Sequence, residues 1–233
     1  MVDTTQPPFT KAMLETLRTH EQPPYLGGNI VCGGDGMQGV TLTAKINEAA
    51  LVIYEMPSPE CWYTMGITVC DFDDPQWNNA SMVTVAMPGY LVVSHWFDTW
   101  GTANDLAASL SALLRFYRPR SAWMNDDDIC DVVAEALEDF IDDGVELPPL
   151  TPIPCCENRQ QTHALEINLT YARALLRKHR LLVPSQWVVN DIAQIPHWDW
   201  RGSPGGAELA APWLLAIKQA YLLRHIICEG LYG

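Results

Sequence analysis

Asp71, Asp73 and Asp74 stand together before Pro75, three hard oxygen donors of the kind that Ca²⁺ or Mg²⁺ accepts. The segment has neither the glycine nor the terminal glutamate of an EF-hand loop, so its residues fit an Asx-type turn better than a calcium site. Cys155 and Cys156 are adjacent, a spacing that does not satisfy disulfide geometry. With His163 they hint at zinc, but the second pair of ligands at proper spacing is missing. Ser94-His95 and Cys61 supply nucleophile and base types, although no G-x-S-x-G elbow or local cysteine signature surrounds them. Residues 34–39 spell G-x-G-x-x-G, yet Val40, Leu42, Ala44 and Ile46 then alternate with polar residues. A helix must start there if amides are to hold a pyrophosphate, so a glycine-rich hairpin is expected instead.

The densest chemistry is electrostatic. Residues 125–144, NDDDICDVVAEALEDFIDDG, place Ile129, Val132, Val133, Ala136, Leu137, Phe140 and Ile141 on one helical face. Asn125 is the expected N-cap and Gly144 the stop. Asp127, Asp128, Asp131, Glu135, Glu138, Asp139 and Asp142 line the opposite side without a Lys or Arg among them. Early acids suit the helix dipole, whereas Asp142 and Asp143 oppose it, and like charges at i, i+4 cost a few tenths of a kcal/mol. Such a run ordinarily solvates a surface. Its sharper reading is a docking face whose carboxylates recur about every 5 to 6 Å, in the manner of a phosphate chain.

Charge elsewhere points the same way. The chain of 233 residues carries 14 basic and 28 acidic groups, a net of −14. Residues 46–157 hold 19 of the acids against Arg115, Arg118 and Arg120, while residues 158–233 are slightly basic. That field repels phosphates and anionic membranes and complements a basic protein surface. Trp198 and Trp200, in a stretch rich in Gly and Pro, are the residue type that dominates interface hot spots. The alternative is that they fold back onto the C-terminal helices.

The elements that must position these groups begin with a helix near residues 8–20. Period-two strands follow at 40–46, 51–56, 63–69, 82–87 and 90–96, with Pro88-Gly89 as a turn. Helices are expected at 106–117, 162–179, 185–195 and from Pro212 onward, with a proline-rich linker at 147–160. The expected fold is therefore α+β: residues 1–100 form a helix plus an antiparallel four- to five-stranded sheet, and 101–233 a helical half, as two domains or one continuous one. No apolar run is long and uncharged enough to span a bilayer, no signal peptide is visible, and seven cysteines read as reduced thiols. The function expected is a cytoplasmic, non-enzymatic acidic interaction protein of inhibitor, immunity or nucleic-acid-mimic type, as in host–virus or toxin–immunity conflict. It would occlude a basic partner through Asp127, Asp128, Asp131, Glu135, Glu138, Asp139, Asp142, Trp198 and Trp200. No cofactor, metal, catalytic residue or direct nucleic-acid contact is expected, and the oligomeric state is open. The alternative is a small cytosolic enzyme with its site near Cys61, Asp71 or His95.

Overall fold

The computed structural model describes residues 9–32, 38–70, 78–126, 128–138, 140, 150–154, 169–178, 180–194 and 209–230. Eight strands join in one mixed sheet of order β2-β1-β3-β6-β5-β4-β7-β8. At its centre β4 (Trp62–Cys70) pairs antiparallel with β5 (Asn79–Met87), and β5 with β6 (Leu91–Thr99). Beyond β6 lie β3 (Leu51–Ile53), β1 (Leu26–Cys32) and the edge strand β2 (Gln38–Thr43). On its other side β4 pairs in parallel with β7 (Ser121–Asp126), which pairs in parallel with the second edge strand, β8 (Leu150–Pro154). The sheet thus changes from antiparallel to parallel at β4.

Period-two patterning builds both faces of this sheet. Tyr63, Met65, Ile67 and Val69 of β4 are buried with Met82, Trp96 and Ala122 under α2 (Ala103–Tyr117) and α3 (Asp128–Glu138). α2 begins three residues before its apolar stripe because Thr102 and Asp105 form a capping box. It ends at Arg118, whose left-handed backbone and following Pro119 stop the helix. The opposite face carries Val83, Val85 and Val92. It is covered by α1 (Lys11–Arg18), the helical residues 169–177 (α4), α5 (Gln186–Gln194) and α6 (Ala210–Gly230).

α6 is the central cover, burying Trp213, Leu214, Leu215, Ala216, Ile217 and Ala220. Full burial of each large side chain contributes roughly 1.5 to 3 kcal/mol. Its close approach depends on Gly66, where a Cβ would overlap the Pro212 carbonyl and meet the Ala216 nitrogen at 2.7 Å. Thr64 Oγ1 donates to the Ala216 carbonyl at 3.0 Å, and Gln219 Nε2 donates to the Met65 carbonyl at 2.9 Å. As helix numbers rise, strand numbers fall, so α6 runs against β4 and its N-terminus lies toward the C-terminal end of that strand.

The expected α+β arrangement needs correction. The sheet has eight strands rather than four or five, is mixed rather than antiparallel, and takes β7 and β8 from the part expected to be helical. Helices are spread before, between and after the strands. Asn125 is not a helix cap, because it lies inside β7, and the acidic helix begins at Asp128. β8 occupies the stretch expected as a linker, its prolines being compatible with an edge strand. The strands that flank the glycine-rich stretch, β1 and β2, pair antiparallel with Cys32 opposite Gln38; residues 33–37 lie outside the described residues. Among the described residues no helix is long and apolar enough to cross a membrane.

Candidate active site

Because β4 and β7 are parallel, their C-terminal ends lie side by side, at the strand where the sheet changes direction. Such a switch point is the usual ligand crevice of sheets covered by helices on both faces. The ladder matches Thr64 with Ser121 and Ile67 with Met124. Past that last pair the Asn125 side chain continues the pairing. The Val69 N–H donates to Asn125 Oδ1 at 2.7 Å, and Asn125 Nδ2 donates to the Val69 carbonyl at 2.9 Å. Asn125 is buried, and its amide satisfies both backbone groups of a residue that would otherwise carry them unpaired. Thr68 Oγ1 and Ser81 Oγ, 3.0 Å apart, couple the same end of β4 to β5.

This clasp determines where the acids sit along the chain. Cys70 ends β4 and is followed in sequence by Asp71, Asp73 and Asp74. Asp126 ends β7, opposite Pro154 of β8, and Asp128 opens α3. Two aspartate runs that are far apart in sequence therefore issue from adjacent strand ends. Aspartate carboxylates are hard oxygen donors of the type a hard divalent cation accepts; among the described residues alone no three such ligands come together.

Asp131, Glu135 and Glu138 are exposed along α3. Asp71, Asp73, Asp74, Asp127, Asp139, Asp142, Cys155, Cys156, His163, Trp198 and Trp200 lie outside the described residues. Cys61 is a half-buried free thiol just before β4, at the opposite end of that strand from residue 71. His95 sits in β6, buried on the α5/α6 face, with Nδ1 at 3.1 Å from Ser185 Oγ. Burial pushes its imidazole down to about 3, so it is neutral. Burial likewise pushes the neighbouring Tyr54 hydroxyl up to about 12. Two residues here escape local patterning: in the sequence Asp126 reads as part of a helical first turn and Asn125 as its cap. Their signal was the alternation of Ala122 and Met124 with Trp123 and Asn125 after Pro119.

No family model matches the chain and no curated protein matches it. Solved structures do. The large terminase nuclease from thermophilic phage G20c aligns with a TM-score of 0.60 at 14% identity, over 90% of this chain and 99% of that one. The same nuclease with bound magnesium aligns at 0.56 and 16% identity, over 74% and 88% of the two chains. The large terminase nuclease domain of Thermus phage P74-26 aligns at 0.55 and 14%, over 89% and 94%. At such identities the likeness shows the fold. It overturns the expected inhibitor, immunity or nucleic-acid-mimic protein, since the structures sharing this fold are nucleases, which are enzymes. It equally overturns the expectation of a basic protein partner without direct nucleic-acid contact. The physical reason is that net charge averages over the surface. The sum counts every aspartate as part of a repulsive coat, whereas a carboxylate that holds a cation no longer acts on a phosphate as a free negative charge.

Proposed function

We propose that this chain is a nuclease that hydrolyses nucleic-acid phosphodiesters with the help of divalent cations. The observation carrying the reading is the Asn125–Val69 clasp, which holds the ends of β4 and β7 together where the two aspartate runs begin. The donor set fits a hard cation such as Mg²⁺. Asp71 and Asp126 would hold it, with Asp127 or Asp128 completing the set. When bound, the cation supplies a lowered water pKa and charge stabilisation for the transferring phosphoryl group. The rest falls to the chain itself. β4 and β7 hold their ends in register, the clasp resists fraying of those ends, and α6 covers one face of the sheet. This agrees with the enzyme expected as the alternative in one residue, Asp71; Cys61 and His95 have no part in the cleavage step. The proposed setting is cytoplasmic.

The test is cleavage of plasmid and single-stranded DNA with Mg²⁺ or Mn²⁺, with and without EDTA. Cleavage should appear with metal, vanish with chelator, and fall at least about 100-fold in Asp71→Asn and in Asp126→Asn, the scale on which losing one group that stabilises developing charge is felt. Glu135→Gln, on the exposed side of α3, should cleave like the parent. Undiminished cleavage in both aspartate variants would sink the reading.

A further inference from the structure

A cavity of about 460 Å³ opens on the α5/α6 face beside β3 and β6. Its size is that of a small-ligand pocket. Val52, His95 and Phe97 form its floor, Trp187 and Asp191 of α5 its side, and the turn at Asn47 its rim. Trp187 is 47% exposed, an indole held out at a pocket wall rather than tucked into the core. Its ring lies 5.5 Å from that of His95.

Three features define what such a cavity accepts. First, the indole and the Phe97 ring offer apolar surfaces on which a flat heteroaromatic stacks. Second, among the described residues no Lys or Arg lines it, and its one charged wall group is the Asp191 carboxylate, fixed by the Leu209 N–H at 2.8 Å. A phosphate is therefore repelled, whereas a neutral ring bearing N–H groups is not. Third, His95 commits Nδ1 to Ser185 Oγ, which also accepts from the Val188 N–H at 3.2 Å. Nε2 is left as the ring nitrogen that a ligand edge can meet, and the neutral state of the imidazole keeps that edge from needing a counter-charge. The position also fits a single substrate. Phe97 pairs with Ser81, and Ser81 with Thr68, two residues before the end of β4. The cavity thus lies two strand spacings, roughly 10 Å, from the carboxylate end.

We infer that this cavity is a nucleobase pocket, which takes one unpaired base of the strand whose backbone is held at the ends of β4 and β7. The inference rests on the nuclease reading for its substrate, but the binding itself needs no metal and no cleavage. Calorimetric titration of the full chain with adenosine, cytidine, guanosine and thymidine in EDTA should give a Kd on the order of 1 mM for at least one of them. The matching 5′-monophosphate should bind no more tightly, and ribose 5-phosphate not at all. Trp187→Ala should weaken nucleoside binding about tenfold or more, and Trp187→Phe, which keeps a ring, should restore most of it. Circular dichroism of both variants verifies the fold. The inference falls if no nucleoside binds the parent, if Trp187→Phe and Trp187→Ala both bind like the parent, or if ribose 5-phosphate alone accounts for the affinity. A chain that binds nucleosides but never cleaves would sink the nuclease reading alone. One that cleaves but ignores nucleosides would sink only the pocket.

Discussion

At the start of β4 and β7 the chain places cations over rings, and past their finish its sequence runs into aspartates. Arg120 lies 4.8 Å over the Trp62 ring, Arg224 lies 5.6 Å from the Tyr90 ring, and Arg118 closes α2 at the same end. Arg177, Lys178 and Arg180 are exposed on the segment leading to that end, where Leu182 bridges to Leu91. The opposite end has Asp126 and Asp128, and the sequence runs on from Cys70 into Asp71, Asp73 and Asp74. The strand axis thus has cationic side chains over rings at one pole, while the aspartate runs of the sequence follow the strand ends at the other. Guanidinium groups stacked on aromatics add modestly to stability, about 0.5 to 1 kcal/mol each at exposed sites. Under the proposed function the aspartates past the other end would oppose the fold through mutual repulsion once brought together, a cost expected of groups kept for chemistry.

The strongest way to break this contrast is to displace the helix that spans both poles. Gly66→Ala drives a methyl into the α6 backbone, which cannot give as a side-chain tip would. Denaturation should show a loss of at least about 3 kcal/mol, with α6 leaving both ends together. Next is the clasp. Asn125→Ala strips partners from the Val69 N–H and carbonyl, so chemical denaturation should register roughly 2 to 3 kcal/mol. Cleavage should fall further than that instability explains when assayed well below the melting temperature, because the carboxylate end is no longer held. The smallest effect belongs to the other pole. Arg120→Ala should cost under about 1 kcal/mol and leave cleavage unchanged. A cleavage defect there would show that the poles act as one surface.

The residues explain which parts of this were legible. β4 could be read because Tyr63, Met65, Ile67 and Val69 alternate cleanly and lie under helices. β5, β6 and the turn between them could be read for the same reason. β7 could not. Its Ala122 and Met124 give one repeat of the strand period before the acidic helix begins, so the strong helical period downstream captured Asn125 and Asp126. Parallel pairing of β4 with β7 is a long-range contact that leaves no local mark. The three aspartates after Cys70 read as hard donors better explained by a turn, and Asp126 reads as part of an acidic docking helix. The partnership proposed for them depends on a register that only the sheet reveals. The cavity was invisible for a related reason: His95 and Trp187 come from a strand and a helix far apart in sequence.

The two rims of the sheet do not share one susceptibility to self-association. In β8, Pro152 and Pro154 have no amide hydrogen, so the bonds holding this strand to β7 must come from Thr151 and Ile153. Alternation then turns the proline positions outward, and at those positions the border offers an incoming chain carbonyl acceptors but no N–H donor. β2 has no proline along its length. Any accretion of a further strand, whether a misfolding template or a tethered peptide, should therefore proceed from the β2 border, making the molecule a one-sided nucleus.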